Sequence, residues 1–234
     1  MKKILASPVE RITLAIILFA AFEALLILFI DRPLSEYFHT IDTRYTSVID
    51  IFRFFTDLGL SKWYLWPTGI GAIVCVTLSV RRRLSLKRRN RWLRRGWGFT
   101  FVFVCVGLSG VITDIIKPLI GRARPVLLQR EDYYGFDPFN FHAAHNSFPS
   151  GHATTAFALA FALIALRPGW RPWFIVFAIA VAVSRVVVNA HYLSDIIAGA
   201  LVGMLTALLI QKLFIRQHWI APPDDAARVK SPKM

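Results

Sequence analysis

The sequence predicts an all-α, polytopic membrane protein whose six transmembrane helices form one bundle. Its 234 residues are 56% hydrophobic with a mean hydropathy of +0.51, which is more apolar surface than a soluble domain of this length buries. A hydrocarbon core about 30 Å thick needs about 20 apolar residues per helix, and runs approaching that length recur along the chain. The six predicted spans are 12–30, 63–80, 97–120, 151–166, 172–191 and 193–214. Because they occupy most of the sequence, we expect a single membrane domain over residues 1–234.

The first span is predicted to be a retained helix rather than a signal peptide. Lys and Arg are absent between Arg11 and Arg32, and no small-residue cleavage pattern precedes Asp31. The apolar run is also longer than the core of a signal peptide. We therefore expect this helix to stay in the membrane.

The net charge of +14 is distributed by loop, which indicates a membrane orientation rather than nucleic-acid binding. Alternate loops at 1–11, 81–95, 167–171 and 212–234 hold 19 of the 28 Lys and Arg residues, nine of them in 81–95. The positive-inside rule places such loops in the cytoplasm. We therefore expect a cytoplasmic N-terminus at 1–11, a basic cytoplasmic loop at 81–95 that contacts anionic headgroups, and a cytoplasmic tail at 215–234.

The two intervening segments, 31–62 and 121–150, are predicted to face outward, and together they hold eight of the fourteen acidic residues. In the first, apolar residues recur at helical spacing, which predicts an amphipathic helix at the membrane interface. This stripe contains Ile41, Tyr45, Val48, Phe52 and Phe55. Packing or interfacial anchoring is favoured for it over contact with a lipid substrate. Five Gly and Pro residues in 121–150 predict a loop with little regular structure.

Three polar clusters lie at outward ends of the predicted spans, and the third has the most informative spacing. His191 and Asp195 are four residues apart, so a helix would project both from one face. The carboxylate would then bind one imidazole nitrogen and leave the other free for nucleophilic attack. Arg185 lies in the fifth span, where an unpaired guanidinium costs about 2.5 to 3.5 kcal/mol. It needs an anion, either Asp195 in a structural ion pair or a bound phosphate.

The second cluster lies at the start of the fourth span. Ser150 is placed to cap that helix, and the N–H groups that follow it, from Gly151 onward, would point outward. Anions bind at such helix starts. His152, in the first turn, is a candidate proton donor to an oxygen that leaves the bound anion.

The first cluster consists of Lys117 and Arg124, seven residues apart at the outer end of the third span. Seven residues make about two helical turns, which would place both cations on one side. Arg124 offers bidentate contact to phosphate oxygens and Lys117 a compact charge. Taken singly, each cation is more typical of a headgroup anchor that snorkels to the interface.

Together these clusters supply three cations, two histidines and a helix start, but a single suitably placed carboxylate. A divalent cation that bridges phosphate normally recruits several carboxylates. The sequence therefore predicts a mechanism without metal or cofactor.

Other polar residues near the clusters are expected to have plainer roles. Solvated loop positions are favoured for a group of four, Arg122, Arg130, His142 and His145. Asp114, one turn before Lys117 and inside a span, is expected to pair with a cation of the site. Glu23 in the first span is equally costly there, and the sequence does not account for it.

The three clusters resemble the three signatures of the type-2 phosphatidic acid phosphatase superfamily. They read Lys, six residues, Arg-Pro at 117–125; Pro-Ser-Gly-His at 149–152; and Ser-Arg, five residues, His, three residues, Asp at 184–195. Their order, their spacing and their positions at span ends all agree with the family pattern.

This resemblance implies that His191 attacks phosphorus to form a phosphohistidine, while Asp195 orients the imidazole. It also implies that His152 protonates the leaving lipid oxygen and then activates water. The phosphate-binding set that it implies is Lys117, Arg124, Arg185, Ser150 and Gly151.

The resemblance implies a lipid phosphatase, and compact size with short loops favours a bacterial inner membrane with a periplasmic site. Expected substrates are lipid A 1-phosphate or phosphatidylglycerophosphate, with undecaprenyl pyrophosphate as an alternative. A lipid-to-lipid phosphotransferase uses the same intermediate and stays open, whereas six spans argue against a soluble haloperoxidase. A transporter lined by Lys117, Arg185 and Asp195 is the non-enzyme alternative, disfavoured because the costly groups gather at one face rather than at midplane. The sequence leaves the oligomeric state undetermined.

Overall fold

A computed structural model of the chain describes residues 7–44, 46–81 and 84–222, without the side chains of 42–48. The described part is helical and lacks β-strands, apart from an isolated antiparallel bridge between Arg122 and Phe136. Its α-helices are α1 (Pro8–Leu25), α2 (Asp31–Arg44), α3 (Thr46–Asp57), α4 (Lys62–Ser79), α5 (Leu86–Ile120), α6 (Pro125–Glu131), α7 (Gly151–Leu166), α8 (Arg171–Val187) and α9 (Leu193–Arg216). A π-helical segment, Leu26–Ile30, joins α1 to α2, and two 3₁₀ turns are Ala143–His145 and Pro168–Trp170.

Four helical stretches are long and apolar enough to cross a membrane by length and composition. They are Pro8–Ile41, Leu86–Ile120, Pro168–Val187 and Leu193–Arg216. A fifth apolar helix, Gly151–Leu166, is shorter. The predicted all-α membrane architecture is therefore confirmed at this level, and the count of six spans stays a prediction.

Several helix ends differ from the predicted span ends. Because the π segment continues α1 into α2, the predicted outward segment 31–62 begins as helix. The helix α5 begins eleven residues before the predicted span, at Leu86, so part of the basic loop 81–95 is helical. At 1.5 Å per residue its 35 residues extend about 52 Å, more than the hydrocarbon core is thick.

Much of the predicted amphipathic helix lies outside the described side chains. The backbone there is helical in α2 and α3, and Phe52 and Phe55 are half-buried while Phe54 between them is exposed. The interfacial position of this stripe stays a prediction.

The core is built around α7, which packs against α5, α8 and α9. Two glycines of α9 allow the closest of these approaches. A Cβ on Gly199 would lie 2.5 Å from the carbonyl oxygen of Ser150, and one on Gly203 would lie 2.3 Å from that of Thr154. Small residues four apart let helix backbones meet in this way inside membranes. The contact brings the starts of α7 and α9 together, where Ser150 N donates to the carbonyl of Asp195 at 2.9 Å.

The segment 121–150 is mostly irregular, as predicted, apart from α6 and the turn Ala143–His145. Gly121 ends α5 in the left-handed region with φ of 62°. A Cβ there would overlap the carbonyl oxygen of Asp137 at 1.6 Å, so only glycine fits this turn. The chain therefore leaves α5 before it reaches Arg124.

Candidate active site

The predicted nucleophile and its partner meet, although not along one helix. α8 ends at Val187, and His191 lies in the turn before α9, while Asp195 is in the first turn of α9. The expectation that a helical span continues to His191 is therefore wrong. His191 Nδ1 nevertheless lies 3.4 Å from Asp195 Oδ2, an oxygen that also accepts from the Tyr192 N–H at 2.9 Å. The contact depends on the capped start of α9 rather than on helical spacing.

Ser147 joins this pair and was not predicted from the sequence. Its Oγ donates to Asp195 Oδ2 at 2.5 Å and lies 3.4 Å from His191 Nδ1. The residue is fully buried. Its position beside Phe148-Pro149-Ser150 was the sole sequence signal for it.

His191 is buried and neutral at pH 7. Burial lowers its pKa to about 4, against the opposing hydrogen bond and charge of Asp195; the charges of Arg185 and Arg124 lower it further. Because the Nδ1 side faces the Asp195 carboxylate, that nitrogen carries the proton in the favoured tautomer. The Nε2 atom is then left unprotonated, as a nucleophile requires.

Arg124 does not share a helix with Lys117, so the expectation of two helical turns is wrong. Arg124 is the N-cap of α6, held by its backbone N–H to the carbonyl of Ala144 at 2.9 Å. Its Nη2 donates to the carbonyl of Asn146 at 3.3 Å, and its buried Nε has no acceptor within the described residues. Desolvation by burial lowers its pKa, against the opposing charge of Asp195.

Arg185 is 8% exposed, and its Nε has no acceptor among the residues described. The structural ion pair with Asp195 considered from sequence is not formed, because Asp195 binds Arg122 instead. Arg185 Nε is therefore a donor still available to a ligand next to His191. The charge of Arg185 also lowers the pKa of His191.

Lys117 reaches the start of α7. A Cβ on Gly151 would lie 3.3 Å from Lys117 Nζ, so a larger residue there would push the ammonium away from the helix start by a few tenths of an ångström. The ammonium also pairs with Asp114 Oδ1 at 3.2 Å, which confirms that Asp114 pairs with a cation of the site. Its effect on phosphate affinity or expression stays a prediction.

Ser150 occupies the N-cap position of α7, as expected, but its side chain makes no capping hydrogen bond. The Oγ atom is buried and has no partner in the described part of the chain. The expectation that this hydroxyl caps the helix is therefore wrong. Because it does not cap, the hydroxyl stays available to another group.

His152, in the first turn of α7, lies within electrostatic range of four of the predicted site residues. Arg185, His191, Lys117 and Arg124 all act on it electrostatically. Its ring packs against Gly59 in the turn after α3, where a Cβ would lie 2.7 Å from His152 Cδ2. Gly59 is a second residue that sequence reasoning did not find, since it is far from every motif.

Arg122 is not a solvated loop residue, contrary to the expectation from sequence. It is 1% exposed and joins two carboxylates, with Nη1 donating to Asp195 Oδ1 at 2.6 Å and Nη2 to Asp31 Oδ2 at 2.8 Å. Its guanidinium also lies 4.4 Å from the ring centroid of Tyr192. Although burial disfavours the charge, Asp195 and Asp31 raise the pKa of Arg122 above its ordinary value.

Asp31 completes this buried network at the start of α2. It accepts from the backbone N–H of Ser194 at 3.1 Å and from the Ser194 hydroxyl. The network therefore ties the start of α2 to the start of α9, beside His191.

The remaining polar residues divide by exposure. Arg130 and His142 are exposed, as expected for loop positions. His145 is half-buried and its Nδ1 has no partner within the described residues, so the solvated interpretation is wrong for it. Glu23 is buried on α1, and neither carboxylate oxygen has a hydrogen-bond partner in the described part.

Comparison with known proteins assigns the family. The sequence profile of the PAP2 superfamily matches residues 98–219, a range that contains all three motifs. The chain belongs to the PAP2 superfamily. The predicted family and the predicted enzyme class, a phosphoric monoester hydrolase of the lipid phosphatase type, are confirmed by this match together with the relatives.

Two relatives are named lipid A 1-phosphatase. The one from Rhizobium etli is 33% identical over 203 residues, covering 82% of this chain and 81% of the relative. The one from Rhizobium johnstonii is 44% identical over 163 residues, covering 69% of this chain and 66% of the relative. The transmembrane PAP2-type phosphatidylglycerolphosphate phosphatase from Bacillus subtilis has the same fold, with a TM-score of 0.60 at 20% identity over 86% of this chain and 94% of that one.

Proposed function

We propose that this chain removes phosphate from a membrane lipid phosphate through a phosphohistidine on His191. The observation that carries the proposal is a set of buried donors without acceptors in the described residues, next to a neutral imidazole. These donors are Arg124 Nε, Arg185 Nε and Ser150 Oγ. A buried donor without a partner costs about 1 to 3 kcal/mol. A bound phosphate would satisfy all three and would lie beside His191.

In the first step His191 Nε2 attacks phosphorus, and the bond from phosphorus to the lipid oxygen breaks. The leaving oxygen takes a proton from His152, whose protonated form is favoured by the negative phosphate. In the second step His152 removes a proton from water, which attacks the phosphohistidine and releases inorganic phosphate. Asp195 orients His191 and stabilises the charge that the imidazole gains.

Phosphate binding is assigned to Lys117, Arg124, Arg185, Ser150 and the Gly151 backbone. Their charges would stabilise the transferring phosphoryl group, which is the main catalytic requirement of phosphoryl transfer. The cations supply this stabilisation without a metal ion. A reaction that proceeds in chelator is therefore expected.

Lipid A 1-phosphate is the favoured substrate because the two relatives named for that activity cover most of this chain. Phosphatidylglycerophosphate and undecaprenyl pyrophosphate are the alternatives. The loop charges support an inner-membrane protein with 1–11, 81–95 and 215–234 in the cytoplasm and a periplasmic site.

The test is phosphate release from these three lipids by the purified full chain in chelator, with the wild type and His191→Ala. His142→Ala is the matched control, since His142 is exposed. We expect the control to retain activity, His191→Ala to lose it, and the wild type to accumulate acid-labile phosphohistidine during turnover. Retained activity in His191→Ala would remove the nucleophile, and a strict requirement for Mg²⁺ would contradict the metal-free mechanism.

A phosphotransferase differs from this proposal in the acceptor alone. Substrate labelled with ³²P distinguishes the two when a second lipid with a free hydroxyl is added. Hydrolysis predicts labelled inorganic phosphate. Label found solely on the second lipid would establish transfer instead.

A further inference from the structure

The end of the bundle opposite His191 contains two adjoining cavities that no part of the proposed reaction uses. One, of about 400 Å³, is lined by Arg94 and Arg167 together with residues 218–222 after α9. The other, of about 670 Å³, is a groove along α4, α5 and α7. Both are lined by Arg94, Leu166 and Arg167, so these residues form the boundary between them. The helix α7 separates Leu166 at this end from His152 by about 21 Å, at 1.5 Å per residue.

The groove is apolar along its length and basic at one end. Its apolar lining includes Phe99, Val102, Leu159 and Leu163. Its basic end is formed by four arginines, Arg91, Arg94, Arg95 and Arg167. All four arginines are exposed, and none of them forms an ion pair with a carboxylate in the described part of the chain. A groove with this polarity matches an acyl chain that ends in an anionic headgroup.

The charge at this end is not neutralised by the sequence nearby. No Asp or Glu occurs in 58–113, 138–194 or 196–223, the segments that supply both linings. Four guanidinium groups without acidic neighbours attract anionic lipid. A planar guanidinium also forms paired hydrogen bonds to phosphate oxygens.

We infer that these cavities bind an anionic phospholipid of the leaflet opposite the active site. The headgroup phosphate lies between Arg94 and Arg167 in the smaller cavity, and one acyl chain follows the groove past Leu163. This site is distinct from the phosphatase site, and its ligand is bound rather than hydrolysed.

Lipid binding to the purified full chain in detergent tests the site, measured by native mass spectrometry and by the shift in Tm. Phosphatidylglycerol and phosphatidylcholine are the two probes. We expect phosphatidylglycerol to bind and to raise Tm, and phosphatidylcholine to bind at least fivefold more weakly. Equal binding of both lipids would overturn the proposal, as would no binding of either.

Two pairs of arginine variants separate a built site from diffuse attraction. Arg94→Ala/Arg167→Ala is expected to weaken phosphatidylglycerol binding at least fivefold. Arg88→Ala/Arg89→Ala removes the same charge from exposed positions of α5 that line neither cavity, and it is expected to bind normally. An equal loss in both variants would show non-specific attraction and overturn the proposal.

Two further variants locate the acyl chain and the bound lipid. Gly98 lines the groove, and a Cβ there makes ordinary contact with Leu166 at 3.8 Å, so Gly98→Leu starts without a clash at Cβ and extends a side chain into the groove. We expect Gly98→Leu to lose the lipid with every arginine in place, and normal binding would refute the acyl-chain groove. Arg124→Ala/Arg185→Ala, at the other end, is expected to keep the lipid; its loss there would place the lipid in the phosphatase site.

Discussion

Arg122 donates from Nη1 to Oδ1 of Asp195 at 2.6 Å, and Asp195 lies 3.4 Å from His191 through its other carboxylate oxygen. One oxygen of the Asp195 carboxylate is thus held by a buried guanidinium, and the other oxygen faces the imidazole of His191. The second arm of Arg122 binds Asp31, so two buried carboxylates share one guanidinium. The orientation of His191 therefore depends on the start of α2 as well as on α9.

Replacing Arg122 by alanine is expected to destabilise the protein by about 3 to 5 kcal/mol, because two buried carboxylates lose their cation. Arg122→Lys is expected to be destabilised too, since one ammonium cannot form the two-armed contact to Asp31 and Asp195. Thermal unfolding in detergent measures both. Exposed Arg130→Ala is the control and should unfold like the wild type.

A double-mutant cycle tests whether Asp31 and Arg122 act as one unit. Asp31→Asn removes the charge that Arg122 neutralises, so the double variant with Arg122→Gln should lose less stability than the sum of the single losses. Additive losses would contradict a shared network.

Ser147→Ala is expected to lower kcat about tenfold with little change in KM. The hydroxyl donates to Asp195 Oδ2, and a hydrogen bond to a charged group contributes about 1.5 to 3 kcal/mol. Its loss removes one of the two donors that hold Asp195 Oδ2 beside His191, while the cations proposed to bind phosphate are untouched. Ser109→Ala is the control, because Ser109 is equally buried but bonds the carbonyl of Val106 in α5. A change confined to KM would contradict this role for Ser147.

The charged candidate residues could be proposed from the sequence because each was costly in an apolar span or formed part of a spaced motif. Arg122 and Ser147 were not, since their partner Asp195 is 73 and 48 residues away in sequence. Such contacts follow from tertiary packing, and the local sequence pattern does not indicate them. The polar neighbourhood of Arg122 suggested solvent, whereas two distant carboxylates make its burial possible.

The end of α8 shows a different limit of sequence reasoning. Val188 and Ala190 continue the apolar run of α8, so hydropathy alone extends the helix to His191. The chain instead turns at Asn189, with φ of 52°, a conformation that asparagine adopts more readily than most residues. Asn189 also binds Ser35 of α2, which holds the turn in place.

Gly59→Ala is expected to lower kcat by about tenfold to 100-fold. Its Cβ would lie 2.7 Å from His152 Cδ2, which is too close, so the ring of His152 would be displaced. A phosphate ester with a more acidic leaving group needs less protonation, so the loss should be smaller with such a substrate. Gly110→Ala is the control, since a Cβ there has no neighbour within 4 Å. An equal loss with both substrates would indicate general disruption rather than displacement of the proton donor.

The decline of kcat/KM at acid pH is expected to follow the pKa of the substrate phosphate rather than the pKa of His191. Burial lowers the pKa of His191 from 6.5 to about 4, so the imidazole stays unprotonated and nucleophilic through pH 5 to 7. Since folding disfavours its protonation, the stability that neutral His191 contributes is present above pH 6.5 and declines as the pH falls toward 4.

Measuring kcat/KM against pH for two lipids whose phosphate groups differ in pKa separates the two titrations. A phosphate monoester loses its second proton at about pH 6. The decline should therefore move with the phosphate pKa when the substrate is changed. A decline that remains at pH 6.5 with both lipids would mean that His191 titrates as an exposed histidine, and it would contradict the buried pair with Asp195.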